Sequence, residues 1–297
     1  MKHLQILFIA VSSLVSGTAF AQSDSLSNKF EFSEISLQFG NLNVNYQRLS
    51  LNTALQFAPQ SAILNNLNGY LQSFFWGYNY NSNFTMAGYL GFKLPKKKHH
   101  SLAPTVRMGL LYNRSDLLTN SFRRNSVIST DSLRNSDGVV NRYIQNIHTE
   151  TVNTSYSNDQ LYFDLNLTYA INAKGRFSMF MGVGLGTGLI FNTSTTVTYL
   201  NVNSFQEFSP SRTFSYNAEV IDSREEIFRN GAGISGLAYF PIGFDFRIGK
   251  RNEAWRKAHV FVELRPGGLF QAFPEANYTL LRSTVASQFG FRFDLRQ

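Results

Sequence analysis

The stretch Val285-Ala286-Ser287-Gln288-Phe289-Gly290-Phe291-Arg292-Phe293-Asp294-Leu295-Arg296-Gln297 decides the fold. Val285, Phe289, Phe291, Phe293 and Leu295 share one face, and the residues between them are polar, charged or small, which is the two-residue period of a strand with unlike faces. A strand of this length with bulky aromatics opposite Gln288, Gly290, Arg292 and Asp294 suits a transmembrane barrel wall between lipid and a polar lumen.

Working outward from that strand, seven further segments alternate in the same way. Ile35, Leu37 and Phe39 oppose Glu34, Ser36 and Gln38, and the run Phe84 to Leu94 carries Lys93 on its polar side. The runs Leu102 to Tyr112 and Leu161 to Ile171 follow, with Arg107 and Asp164 turned inward. Phe177 to Leu185 opposes an apolar face to Gly182, Gly184, Gly186 and Gly188, a glycine ladder that leaves room for long side chains from opposite strands. A phosphate-binding glycine loop is the competing reading, and it fails for want of a following helix. Phe240 to Ile248 carries Asp245 and Arg247 inward, and Val260 to Leu264 carries Glu263 and Arg265. After Gly40-Asn41 the alternation moves to Leu42, Val44 and Tyr46, which predicts a register shift or bulge there.

The connectors alternate in length. Those at about 47–82, 113–158 and 192–230 are long, whereas Pro95-Lys96-Lys97-Lys98-His99-His100, Asn172 to Gly175 and Gly249 to Lys257 are short. Outer-membrane barrels have brief periplasmic turns and longer exterior loops, with both termini on the periplasmic side. The expected fold is therefore all-β, a closed antiparallel up-and-down transmembrane barrel of eight strands with the three long connectors outside. The connector 113–158 reads as an irregular surface loop, and 192–230 holds two strand-like pieces, Thr195 to Val202 and Arg212 to Val220, that suggest a projecting hairpin. An extra hairpin within Leu49 to Tyr80 would make ten strands, and the cluster Phe74 to Tyr80 suits the membrane interface.

Composition bounds the compartment. Lys2 and His3 precede an apolar run to Val15 and the triplet Ala19-Phe20-Ala21, which predicts a cleaved signal peptide over 1–21 and one domain over 22–297. There are no cysteines, so disulfides and thiolate metal sites are excluded. Aromatics at 15% are high and charged residues at 15% are low against about 25% charged in an ordinary soluble domain. The net charge of +8 comes with basic residues that are mostly scattered. An exported chain meets no nucleic acid, so outer-membrane lipid and lipopolysaccharide phosphates are the expected partners of that charge.

The inward charges nearly balance: Glu34, Asp164, Asp245, Glu263 and Asp294 against Lys93, Arg107, Arg247, Arg265 and Arg292. Charges sharing a narrow interior must be paired, and an eight-stranded barrel is just wide enough for its side chains to fill. These ten residues read as a structural plug, with ion passage through a narrow channel as the alternative. His99, His100, His148 and His259 stand in no recognisable catalytic or metal-binding setting, so no catalytic residue, metal or cofactor is expected. An enzyme acting on lipid A or peptides is the rival to a non-enzymatic role in structure, adhesion or secretion.

The triplet Ala19-Phe20-Ala21, the eight alternating segments and the final strand with Phe289, Phe291 and Phe293 together resemble the small outer-membrane β-barrels of Bacteroidota, the PorT-like and OmpX-like proteins. The resemblance implies a Gram-negative outer membrane, insertion by the barrel assembly machinery, and a link to secretion or adhesion partners. The ending Leu295-Arg296-Gln297 departs from the family's closing aromatic, and no peptidoglycan-binding domain is expected after the barrel.

Overall fold

The computed structural model describes residues 31–44, 50–72, 83–94, 104–134, 140–171, 175–208, 213–249 and 252–295. The signal segment 1–21, the aromatic cluster 74–80 and the basic turn 95–100 lie outside them. The chain is nearly all antiparallel β. In order it forms β1 (Glu31–Val44), α1 (Leu51–Phe57), α2 (Ala62–Asn65), β2 (Leu71–Gln72), β3 (Phe84–Lys93), β4 (Pro104–Arg134) and β5 (Val140–Ile171). β6 (Phe177–Phe208), β7 (Thr213–Arg229), β8 (Gly233–Tyr239), β9 (Ile242–Arg247), α3 (Glu253–Lys257), β10 (Ala258–Phe273) and β11 (Tyr278–Asp294) complete it.

β1 pairs with β3, β3 with β4, β4 with β5 and β5 with β6. β6 then pairs with β8 and β9, both of these with β10, β10 with β11, and β11 with β1 again. The hydrogen-bonded path thus returns to its start as an uneven ring. β8 and β9 serve as one strand of it, because Tyr239 lies opposite Gly184 and Gly267 while Ile242 lies opposite Met181 and Leu264, so the register never slips. The break falls at Pro241, which has no amide to give; its carbonyl still accepts from the Gly182 amide at 2.9 Å.

The ring is uneven because β4 to β7 outrun it. β4 and β5 contain 31 and 32 residues, which at about 3.3 Å per residue makes strands about 100 Å long. The connector 113–158, expected as an irregular loop, is in fact a hairpin paired as far as Arg134↔Val140. It gave no hydrophobic alternation because the buried face of the ribbon is itself partly polar, Thr154 and Asn158 lying on it beside Val152 and Tyr156. The hairpin expected within 192–230 is present and longer than its two pieces, with β6 and β7 paired from Ser194↔Arg229 to Phe208↔Thr213. Of the first connector, 50–72 forms two short helices and β2, which pairs with β4 at Phe122 and Arg123; no further hairpin occurs there among the described residues.

Two of the register slips mark where ring becomes projection. The register slips at Asp116/Leu118 between β4 and β5 and at Ser157/Asp159 between β5 and β6, and 230–232 separate β7 from β8. Asn192 takes φ 51 there, a left-handed conformation that Asn tolerates better than most residues. Asp159 pins the slip by accepting from Tyr112 and from Asn192 Nδ2, each at 2.8 Å. In consequence the buried face of β6 changes from even positions such as Ile190 to odd ones such as Thr193, Thr195 and Val197.

The shift expected after Gly40 does not occur. Gly40, Asn41 and Leu42 pair in unbroken register with Gln288, Ser287 and Ala286, and Leu42 is buried on the same face as Gln38. What changes along β1 is the interior, polar below and apolar above; the slip in this strand lies at the other end, between Phe32 and Glu34.

Candidate functional site

The interior of the ring is filled in three layers. At the base, where β1 begins and β11 ends, Arg107 Nε donates to Glu34 Oε1 at 2.6 Å and its Nη1 lies 3.7 Å from Glu263. Arg292 lies 3.0 Å from Asp245, 3.3 Å from Asp294 and 3.6 Å from Glu34. His259, buried, sits between Asp245 at 2.6 Å and Asp294 at 3.5 Å. Sequence reading missed this histidine, although its position two residues from Phe261 and four from Glu263 already put it on the polar face of β10.

Just above, Arg265 is only 1% exposed. Its Nε donates to Glu263 at 2.5 Å, Nη1 to the Tyr89 hydroxyl at 2.8 Å and to Asp164 at 3.3 Å, and Nη2 to Gln38 at 2.6 Å. The guanidinium carbon lies 5.3 Å from the ring of Tyr89 and 4.8 Å from that of Tyr239. Asp164, 0% exposed, accepts from Tyr89 at 2.5 Å and from Tyr239 at 2.7 Å. Eight of the ten expected charges therefore meet in one network. Lys93 is exposed at the base and Arg247 half-buried at the rim, so neither belongs to its buried centre.

The middle layer is aromatic and uses the glycines differently from the expectation. Rings from neighbouring strands, not opposite ones, lie flat across them: Tyr239 over Gly184, Tyr162 over Gly188, Phe180 over Gly243 and Phe261 over Gly290, each pair in direct register. A side chain at these glycines would strike the ring or the adjacent backbone. Leu111, Leu237 and Leu269 complete this layer.

The third layer is a stopper delivered from outside. Ser50 and Ser61 cap α1 and α2 by accepting from the amides of Thr53 and Leu64, each at 3.1 Å. Ala54, Ala58, Leu64 and Leu67 then bury against Phe122, Val152 and Val197 of the projection. Phe57 thereby enters the mouth of the ring, its centroid 4.8 Å from Tyr156, 5.4 Å from Phe273 and 5.5 Å from Tyr278. Asn230 Nδ2 donates to the Phe57 carbonyl and Ser61 Oγ to Glu226, both at 2.5 Å. A cleft of about 360 Å³ opens beside the stopper, between Gln56, Arg229 and Glu275.

Higher on the projection, Glu150 accepts from Arg124 at 2.5 Å and Tyr199 at 2.9 Å, and Arg124 stacks at 4.8 Å on Tyr70. Burial opposes ionisation of Glu150, but hydrogen bonds from Tyr199, Arg124 and Tyr70 outweigh it and hold the carboxyl below its ordinary range. Burial, joined by the charge of Glu150, pushes the Tyr70 phenol up to about 12. His148 bonds to Asn203 at 2.9 Å and lies 3.9 Å from Glu150. Among the described residues no three or more His, Cys, Asp or Glu side chains are grouped to hold a metal ion.

No protein-family model and no curated protein matches the chain. Solved structures with some likeness include the toluene transporter TbuX of Ralstonia pickettii, at 8% identity over 90% of each chain with a TM-score of 0.18. The CymD monoaromatic hydrocarbon channel matches at 8% identity over 90% of this chain and 89% of that one, TM-score 0.17. Pseudomonas putida OprB matches at 6% identity over 93% and 97%, TM-score 0.13. Likeness at this level decides neither fold nor activity.

Proposed function

We propose that this chain is an outer-membrane β-barrel of eight wall strands, closed to solutes, with a non-enzymatic role in structure or partner binding. The observation that carries the reading is an inverted distribution of polarity. Phe163 is 53% exposed, Leu185 66% and Phe291 50%, while Asp164 and Arg265 are buried to within 1%. Soluble proteins do not turn a continuous apolar belt outward around a buried charge network; a wall against hydrocarbon does. The ten residues of β3, at about 3.3 Å each and a tilt near 45°, span about 23 Å, close to the apolar band of such barrels.

The ends of β1 and β11 share the base, so the base is the periplasmic side and the β4–β7 projection is exterior. Insertion by the barrel assembly machinery, a cleaved segment 1–21 and kinship with the PorT-like and OmpX-like barrels of Bacteroidota belong to the same proposal. The projection supports an interaction role. Among the described residues β7 pairs only with β6, and a free strand edge can accept an extended segment of a secretion or adhesion partner.

Membrane fractionation and planar-bilayer recording test the reading together. The expected outcome is recovery in the outer membrane, solubility only in detergent, and no steady conductance. A mature chain that stays soluble without detergent refutes the barrel, and large steady currents refute the closed interior. Crosslinking in intact cells with and without the hairpin 120–153 tests the partner role.

A further inference from the structure

The net charge of +8 is not spread through the molecule. The three short connectors 94–103, 172–176 and 248–257 contain nine Lys and Arg and a single acid, Glu253, so their combined charge equals that of the entire chain. The strand ends they join lie at one level: Lys93 pairs with Thr105, Ile171 with Met179, Phe177 with Phe246 and Ala258 with Phe293. Charge that looks scattered along the sequence thus belongs to connectors whose joined strand ends share the base.

The described residues build a compact part of that rim. The Arg247 amide donates to the Arg176 carbonyl at 2.9 Å, which sets β6 and β9 side by side. The Gly249 amide donates to the Trp255 carbonyl at 3.0 Å, folding α3 back against the end of β9 and bringing Arg256 and Lys257 to the same edge. Arg176 stacks at 4.8 Å on Phe246, and Phe177 and Phe244 stack at 5.6 Å just above it on the outer face. Trp255 is 54% exposed. Outward aromatics with cations immediately beyond them is the order of side chains that a membrane interface requires, rings at the headgroup level and charges among the phosphates.

We propose that Arg176, Trp255, Arg256 and Lys257 form a binding surface for the phosphates of anionic glycerophospholipids in the leaflet at the base of the barrel. The proposal rests on the outer-membrane reading and narrows it, since it assigns the excess charge to the periplasmic leaflet and not to lipopolysaccharide. Position favours lipid over an acidic protein: these cations adjoin the apolar belt instead of projecting from it. A basic side chain near an anionic surface favours the charged lipid by about fivefold, so several together give a marked selectivity that falls with ionic strength.

Of the two tryptophans, Trp76 is replaced by Phe, leaving Trp255 as the reporter in the full mature chain. It is reconstituted in phosphatidylcholine vesicles containing equal fractions of brominated phosphatidylcholine or brominated phosphatidylglycerol. The expected result is quenching several-fold stronger by phosphatidylglycerol, weakened by 0.5 M salt on the order of the screening effect, and equalised in the variant Arg176→Gln/Arg256→Gln/Lys257→Gln. Incorporation with equal quenching by both lipids, or a preference that survives salt, overturns the headgroup surface alone. Displacement of phosphatidylglycerol by soluble polyglutamate overturns it in favour of an acidic protein. Failure to incorporate into either vesicle overturns the barrel reading and this surface with it.

Discussion

Replacing Arg265 by Met tests the interior where most depends on one side chain. Met keeps the apolar stem and removes four hydrogen bonds, to Glu263, Tyr89, Asp164 and Gln38. Glu263 then keeps a contact of 3.7 Å to Arg107, while Asp164 keeps the hydroxyls of Tyr89 and Tyr239. Removing one partner of a buried pair costs about 3–5 kcal/mol, because the charge left behind is desolvated without compensation. The penalty belongs to the stranded carboxylate, so Arg265→Met/Glu263→Gln recovers a substantial part of it, with a coupling of about 1–3 kcal/mol. Urea unfolding in detergent micelles, followed by fluorescence and by heat-modifiable gel mobility, measures both variants. The comparison is Arg142→Ala, which loses a 2.9 Å contact to Glu207 on a side chain 57% exposed and costs at most about 0.5–1 kcal/mol. If Arg265→Met lies within about 1 kcal/mol of wild type, or the double variant is no more stable than the single, the buried network is not what holds the ring interior.

The glycine sites separate by geometry: Gly184→Ala and Gly243→Ala drive a methyl into Tyr239 and Phe180 and cost about 1–3 kcal/mol, whereas Gly186→Ala, with its nearest neighbour at 3.5 Å, stays close to wild type in the same unfolding assay. Docking of 50–72 on the projection depends on pH at both extremes. The lowered pKa of Glu150 contributes stability above its ordinary value of 4.5 that is lost as pH falls through the lower folded value, and the raised pKa of Tyr70 contributes stability that is lost as pH rises from 10.0 towards about 12. Protection of the 50–72 amides, taken relative to their intrinsic exchange rate at each pH, is greatest between those limits, and Glu150→Gln removes the acid-side loss. Phe57→Ala costs the stopper about 3–5 kcal/mol of packing and speeds exchange in α1, yet leaves bilayer conductance at the wild-type level because the ionic layer below is untouched.

Legibility followed the environment of each face. In β11, β5 and β10 one face is apolar and exposed and the other polar and buried, so alternation revealed both the strand and the direction of Asp164, Glu263 and Arg292. The same rule misread β1 at Leu42, where an apolar residue stands on the interior face because α1 and the aromatic mouth line that level. It was silent for 113–158, since the buried face of that ribbon mixes Thr154 and Asn158 with Val152 and Tyr156. The spacing of His259 from Glu263 put it on the polar face, but its place in the charge network was not legible because Asp245 and Asp294 are distant in sequence. The three short connectors were legible as turns on one side, but the approach of Arg176, Arg256 and Lys257 to one edge was not, because it depends on the pairing of β6 with β9 and on the fold of α3.

These failures mark a division within the molecule. Below the slips at 116–118 and 157–159 each strand has an exposed apolar face and an interior face that closes over a charged centre, which on the proposed outer-membrane reading hydrocarbon shields from water. Above them, the β4–β7 ribbon is held by backbone pairing and by one apolar strip, Phe122, Val152 and Val197, covered by α1 and α2. Among the described residues the two parts meet at the bulges and at Phe57, so perturbing one need not unfold the other. Loss of the Glu150 latch exposes that strip while the ionic layer stays intact; loss of Arg265 loosens the ring while β4 and β5 remain paired above it. A chain divided in this way can carry changes in its exterior ribbon without disturbing the wall that anchors it.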